Sequence, residues 1–320
     1  MLSLLVDGNN AAFRCNSVVE LTTKSGQRTS AIYGVLNLLQ HEIKNVGGQL
    51  DQEVGEVVVF WDGGHHQRRR ELHPDYKGKR THARTEEEET RYREFLEQTN
   101  ILYEFLPNIG CKTLRMKGQE ADDLIHAYIE MARVVREDTE NKFVIVSTDE
   151  DFLQLLSEDV NVWSPIKKIM YDLPTFEERF GFSPESFLDY KILKGDSSDN
   201  IKGIPGIGDK TAANLIKSYG NLSNLLQHKM ELMRSKVTSR IFTQEGLQTL
   251  DLNNRLISLK EFVDLTETRN EIEDLVYQQP SVASKTAQAF LMKYQLSSLL
   301  VKYQEWIKTF STVNSQYYAE

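Results

Sequence analysis

Three short apolar runs in this chain each end in an aspartate. Leu2-Ser3-Leu4-Leu5-Val6 leads into Asp7-Gly8, and Val57-Val58-Val59-Phe60-Trp61 leads into Asp62-Gly63. Phe143-Val144-Ile145-Val146 leads into Ser147-Thr148-Asp149-Glu150-Asp151. Such runs, bounded by polar turns, read as strands buried on both faces. Helical patterns lie between them, one from about Ala31 through Val35, Leu36, Leu39 and Ile43, another through Leu124, Ile125, Tyr128 and Ile129. Strands alternating with helices predict an α/β fold, a central parallel-rich sheet with helices on both faces. Ligands of such sheets bind beyond the carboxyl ends of the strands. The pattern therefore delivers three acids to one edge, an arrangement that solvation gives no reason for.

A fourth source of acid precedes the second of these helices. Gly118-Gln119-Glu120-Ala121-Asp122-Asp123 packs three carboxylates into four positions. Acidic residues suit the first turn of a helix, but one or two would serve that purpose. Like charges this close call for a cation.

The segment from Gly63 to Arg84 carries the opposite charge. Arg68, Arg69, Arg70, Lys77, Lys79, Arg80 and Arg84 face only Glu71 and Asp75, and four of the seven histidines (His65, His66, His73, His82) lie here. The stretch is too polar for core and too long for an ordinary strand-to-helix connection. The helix that follows, near Glu86, is supported by Glu87–Arg91 and Glu89–Arg93 pairs at i,i+4. The net charge of −9 argues at first against a nucleic-acid partner. Nine acids are singled out here as candidate metal ligands, however, and without them the chain is electrically balanced and unevenly so.

After Asp151, short strands are expected at Val160–Trp163 and Ile169–Tyr171, and Pro174 opens a run of helices. Asp172 is the expected boundary between a core of residues 1–172, with the basic segment 63–94, and a mainly helical region of residues 173–320. The second region contains Gly195-Asp196-Ser197-Ser198-Asp199-Asn200, then Gly203-Ile204-Pro205-Gly206-Ile207-Gly208-Asp209-Lys210-Thr211, then a helix with Ala212, Ala213, Leu215 and Ile216. From about Val263 the chain reads as amphipathic helices, in which Trp306 has no assigned role. The 320 residues, 40% hydrophobic and 27% charged, suffice for one or two soluble domains without disulfide staples. Cys15 and Cys111 give neither a framework nor a metal spacing, the apolar start lacks a basic lead, and no run of 18 apolar residues occurs. A reducing, cytoplasmic location with no membrane segment is the expectation.

The candidate ligands are Asp7, Asp62, Glu120, Asp122, Asp123, Asp149, Asp151, Asp196 and Asp199. All are hard oxygen donors, so Mg²⁺ or a substituting Mn²⁺ suits them better than Zn²⁺. Nine acids exceed what one ion needs. Two ions about 4 Å apart are a device for in-line attack on a phosphodiester. The EF-hand spacing expected for Ca²⁺ is absent. Gly203 to Gly208 misses a P-loop, because Asp209 stands where lysine is required and a loop precedes it instead of a strand. Read as a turn between two helices, its N–H groups and the helix start can hold a DNA phosphate, with Lys202, Lys210 and Lys217 alongside. A plain helix–helix turn is the structural alternative.

These motifs together resemble the 5′-nuclease (flap endonuclease) family, in particular the stand-alone bacteriophage 5′-nucleases and the 5′→3′ exonuclease domain of bacterial DNA polymerase I. The resemblance runs from Leu4 to about Leu259. It is carried by Asp7-Gly8, Asp62, Tyr76-Lys77-Gly78-Lys79-Arg80, Glu120-Ala121-Asp122-Asp123, Ser147 to Asp151, Gly195 to Asn200 and Gly203 to Thr211. It implies a PIN-like nuclease core and Mg²⁺-dependent cleavage at a junction near a 5′ end, leaving a 5′-phosphate and a 3′-hydroxyl. By the resemblance, Asp7, Asp62, Glu120, Asp122 and Asp123 form the first metal site, and Asp149, Asp151, Asp196 and Asp199 the second. The basic segment corresponds to a helical arch that passes a 5′ single strand, with Lys77 and Arg80 near the scissile phosphate. Arg68, Arg69, Arg70, Tyr76, Lys79 and Arg84 become DNA contacts there. The glycine turn corresponds to a helix–three-turn–helix near residues 195–218 that holds downstream duplex through Lys202, Gly203, Gly206, Gly208, Lys210, Thr211 and Lys217, with K⁺ as a further cofactor.

The implied partners are DNA ends, flaps or junctions, RNA–DNA primers and replication proteins, with the chain a monomer. Competing readings are a primer-removing ribonuclease of the same fold, a DNA-junction binder without catalysis, and an NTP-driven switch. The carboxylates count against the binder, since they repel phosphates unless metals are present. The failed P-loop counts against the switch.

Overall fold

The structure, a computed structural model, describes residues 1–18, 20–64, 66–78, 85–136, 140–260 and 265–313. Six strands form one sheet: β1 (Leu2–Asp7), β2 (Val54–Trp61), β3 (Lys112–Arg115), β4 (Lys142–Val146), β5 (Val160–Ser164) and β6 (Ile169–Tyr171). Their order is β3-β2-β1-β4-β5-β6, and every pair is parallel except β5 with β6. The chain builds outward from β1 on one side and returns to its other side through β4, so the order reverses beside β1. Crevices beyond the strand ends open at such a point.

The alternation of side chains divides the core between two faces. Leu2, Leu4, Val6, Val57, Val59, Trp61, Val144 and Val146 face one side, with the helix Ser30–Leu50 packed over them through Val35, Leu36 and Leu39. Leu5, Val58, Phe60, Phe143 and Ile145 face the other, under the helix Ala121–Val135 and the helical second half. β3 was not anticipated from the sequence, because four residues with two charged ends carry too little pattern.

β6 ends at Tyr171, and Asp172 caps the helix Leu173–Phe180 by accepting from Thr175 N at 2.8 Å. The next helices, Phe187–Lys194, Asp209–Tyr219 and Gln244–Ile257, join the second face. The last three, Ser284–Lys293, Ser297–Val301 and Tyr303–Val313, return to the first face. Leu291, Trp306 and Phe310 are buried there, and Phe290 stacks on Phe105 with ring centroids 3.5 Å apart. Trp306 thus seals the sheet, packing edge-on against Phe310. No described helix is long and apolar enough to cross a membrane.

Candidate active site

The three strand-end aspartates meet at the carboxyl edge of the sheet, each held by a local device. Asp7 accepts from Asn10 N at 3.0 Å and from Ser147 Oγ at 3.3 Å, which ties the end of β1 to the end of β4. Asp62, one residue past β2, accepts from Ala121 N at 2.9 Å and so caps the helix that bears Asp122 and Asp123. The glycine after it is required. A Cβ at Gly63 would lie 1.6 Å from the Met116 carbonyl oxygen, because Gly63 exchanges backbone hydrogen bonds with Gly118 and Gln119. That close approach brings Asp62 to Glu120. Asp149 accepts from Asp151 N at 2.9 Å and opens the 3₁₀ turn Glu150–Leu155.

Asp196 and Asp199 arrive from the second half, Asp196 at the end of β7 (Gly195–Asp196) and Asp199 on the loop that leads to β8 (Ile201–Lys202). Asp196 accepts from Ser198 N and Oγ at 2.7 and 2.5 Å. This loop is pinned to the foot of the basic segment: Lys77 N donates to Asp199 O at 2.9 Å, and Asn200 Nδ2 donates to Asp75 O at 3.0 Å. Lys77 takes φ 53°, a left-handed conformation uncommon for a residue with a side chain. Its ammonium donates to Glu120 Oε1 at 2.8 Å and lies 3.9 Å from Asp199. Lys77 therefore bridges the two groups of acids.

The acids repel one another as their positions demand. Burial, with Asp62 and Asp149 nearby, pushes the Asp7 carboxyl up to about 7. Burial together with Asp151 raises Asp149 to about 6. Burial with Asp7 and Asp149 carries Asp122 well above the carboxylate range. Glu120 and Asp196 are exceptions, since burial would raise both. Lys77 and Arg69 outweigh it at Glu120 and hold that carboxyl at about 2, and Lys191 with Ser198 outweighs it at Asp196 and carries that one below the carboxylate range. Hard oxygens crowded until they retain protons are the donor set a divalent cation stabilises. Among the described residues, however, no three acids already form a ligand set. Ammonium groups stand among them, Lys77 at Glu120 and Lys191 between Asp151 and Asp196.

Two sequence expectations for DNA contact are corrected by burial, and one expected ligand is already engaged. Arg69 was expected to face DNA, but it is 2% exposed, with Nε donating to Leu256 O at 3.0 Å and its fork on Glu120 and Asp123. Tyr76, also expected at DNA, is 4% exposed, its hydroxyl donating to Glu120 at 3.0 Å. Asp123, expected as a ligand, has no exposed surface and gives both oxygens to Arg69. Arg68 is exposed and Arg70 half-buried; Lys79, Arg80 and Arg84 lie outside the described residues. Lys191 was missed, though a lysine five residues before Asp196, on the inner face of a helix, was the available signal.

The glycine turn lies between the helices Phe187–Lys194 and Asp209–Tyr219. Asp209, which spoils the P-loop, fastens the two helices by accepting from Tyr190 OH at 2.6 Å and Lys194 Nζ at 2.7 Å. Asn253 braces the turn from behind, donating to Ile192 O and Lys202 O, both at 2.9 Å. Gly206, Gly208, Lys202, Lys210 and Lys217 are exposed, while Gly203 and Thr211 are half-buried. The first amides of the second helix have no intrahelical acceptor.

Two family models cover most of the chain. The 5′-3′ exonuclease N-terminal resolvase-like domain matches residues 2–181, and the 5′-3′ exonuclease C-terminal SAM fold matches residues 182–283. A 5′-3′ exonuclease of Aquifex aeolicus is 31% identical over 299 residues, covering 92% of this chain and 93% of the relative. DNA polymerase I of Mycobacterium tuberculosis is 32% identical over 273 residues, 83% of this chain and 28% of that protein. The chain thus spans less than a third of the polymerase relatives it matches. The crystal structure of bacteriophage T5 D15 protein with metal ions superposes with a TM-score of 0.69 at 23% identity, over 87% of this chain and 97% of that one. That likeness fixes the fold.

Proposed function

Because the chain belongs to the 5′-3′ exonuclease family, we propose that it hydrolyses phosphodiester bonds near the 5′ ends of DNA, as an exonuclease and as a flap endonuclease. The observation that carries this reading is the convergence of Asp7, Asp62, Asp122 and Asp149 on one sheet edge, in mutual repulsion, beside the foot of a basic segment. Asp7, Asp62, Glu120 and Asp122 would hold one Mg²⁺, and Asp149, Asp151, Asp196 and Asp199 a second, with Mn²⁺ able to substitute. Bound there, the ions supply an acidified water and charge compensation at the leaving oxygen.

The chain's own residues do the rest. Lys77 holds Glu120 and stands ready to meet a phosphate at the same edge. Arg80, three residues on, would hold two phosphate oxygens at once, as a guanidinium can and an ammonium cannot. Arg69 and Tyr76 fix Glu120 from behind, and Arg69 also fixes Asp123, which makes Asp123 a positioning residue in this reading and no longer a ligand. Duplex would lie along Lys202, Gly203, Gly206, Gly208, Lys210, Thr211 and Lys217. A K⁺ ion at this turn would use backbone carbonyls, of which that of Pro205 is already taken by Arg240 at 2.7 Å. Residues 1–172 then carry most of the acids, and 173–320 add Asp196 and Asp199 together with the duplex contacts, with the closing helices serving the first part. Removal of flaps or RNA primers in replication, by a cytoplasmic monomer working beside replication proteins, completes the proposal.

A labelled 5′-flap tests it, with Mg²⁺, Mn²⁺, Ca²⁺ or EDTA, next to an RNA–DNA primer and an Asp149→Asn variant. Cleavage with Mg²⁺ or Mn²⁺, binding without turnover in Ca²⁺, and loss of both turnover in EDTA and cleavage in Asp149→Asn are expected. Cleavage that survives EDTA would overturn the metal assignment. Tight junction binding with no cleavage under any condition would leave the non-catalytic binder. Cleavage confined to the primer would leave the ribonuclease.

A further inference from the structure

Lys191 belongs to no acidic motif, yet it sits among the acids. It lies on the helix Phe187–Lys194, just ahead of the β7–β8 segment that carries Asp196 and Asp199, and is 6% exposed. Its ammonium donates to Asp151 Oδ1 and Asp196 Oδ2 together, joining acids from the two halves of the chain. A buried ammonium is costly unless anions surround it, and buried carboxylates are costly unless a cation separates them. Each satisfies the other's need. A divalent ion in the second group would draw on the same two carboxylates, and Asp196 Oδ1 already accepts from Ser198, so the ammonium and the ion compete there.

We propose that Lys191 is a built-in counter-ion: its ammonium holds Asp151 and Asp196 together in the metal-free chain and withdraws when a divalent cation takes its place. The proposal rests on the metal-dependent reading of this site. It is in keeping with the absence, among the described residues, of a ready-made set of three ligands that includes Asp151 and Asp196. It also gives the lysine a physical advantage over arginine. A compact ammonium on a four-carbon stem can leave a site that a guanidinium, held through two parallel bonds, would keep. Lys191 is then a positioning residue that sets how strongly the second ion binds.

The test compares the unaltered chain with Lys191→Met, which removes the charge at similar length, and Lys191→Arg, which keeps it. The readouts are the thermal unfolding midpoint in EDTA and in saturating Mg²⁺, and calorimetric titration with Mn²⁺ in the absence of DNA. Lys191→Met should lower the midpoint in EDTA and lose most of that deficit in Mg²⁺. Its weaker Mn²⁺ site should tighten by about tenfold, since no ammonium has to be displaced. Lys191→Arg should match the unaltered chain in EDTA and bind the second Mn²⁺ more weakly. An equal deficit with and without Mg²⁺, or an unchanged or weaker Mn²⁺ affinity in Lys191→Met, would overturn the proposal. If the unaltered chain takes up no Mn²⁺, the nuclease reading falls and this one with it. If it binds Mn²⁺ and cleaves while Lys191→Met fails to tighten, the counter-ion alone falls. Should Lys191→Met not fold, Lys191→Gln replaces it, with the same outcomes expected.

Discussion

The guanidinium of Arg69 meets the carboxylate of Asp123 through two hydrogen bonds, 2.7 Å from Nη1 to Oδ2 and 2.8 Å from Nη2 to Oδ1, with neither side chain open to solvent. The third side of the guanidinium reaches Leu256 O on the helix Gln244–Ile257. The foot of the basic segment, the helix carrying Asp122, and the helical second half are thus fastened at one point.

Breaking this pair should separate fold from chemistry. Asp123→Asn leaves a buried guanidinium short of charge, so unfolding in denaturant should show a loss of about 3–5 kcal/mol. Divalent-ion affinity of the folded fraction should change little. Asp122→Asn should do the reverse, raising metal-free stability by relieving repulsion and weakening Mn²⁺ binding at least tenfold in a calorimetric titration. If Asp123→Asn also abolishes ion binding while the fold persists, Asp123 is a ligand after all.

Lys210 stands exposed at the start of the helix Asp209–Tyr219. Lys210→Ala should weaken duplex binding alike for all sequences and reduce the salt slope by about one. Turnover at saturating substrate should be preserved. Fluorescence anisotropy across a salt series measures this, and an unchanged slope returns the glycine turn to a plain connection.

Glu56, on the opposite side of the fold from the acids, accepts from Ser3 Oγ at 2.6 Å, Tyr128 OH at 2.8 Å, Lys112 Nζ at 2.9 Å and Arg136 Nη2 at 2.6 Å. Burial would raise its carboxyl, but Lys112 and Arg136 outweigh that and hold it at about 2, below the ordinary 4.5. A depressed carboxyl stabilises the fold above its unfolded value and loses that contribution as pH falls through the folded one. Between about pH 4.5 and 2 the native chain should therefore lose more stability than Glu56→Gln. Urea midpoints at pH 7, 4.5 and 3 decide it, and parallel curves for the two proteins would reject the assignment.

Trp306 is fully buried on the first face of the sheet. Trp306→Ala should lower stability by about 3–5 kcal/mol, the range for emptying a large aromatic site. Because the closing helices cover β2 and the helix Ser30–Leu50, the loss should appear in the same unfolding transition as the nuclease core. A separate early transition that leaves the core intact would make those helices an appendage.

The sequence by itself determined where the first strands run and that an acid stands at the end of each. Alternation and apolar runs are local, so β1, β2 and β4 and the acids at their ends could be located without knowing what lay beside them. β5 and β6 and the helix after the glycine turn were legible for the same reason. Asp122 and Asp123 are adjacent on one helix and so point about 100° apart, which lets the two take different roles. Tertiary structure decided the rest. It turned Arg69 and Tyr76 inward to Glu120, set Lys191 between Asp151 and Asp196, and laid Trp306 against the first sheet face. These pairings join residues far apart in the chain, or depend on which of two neighbouring elements a long side chain reaches. A charged residue reads alike whether it faces solvent or a buried partner, and only packing supplies the partner whose charge makes burial tolerable.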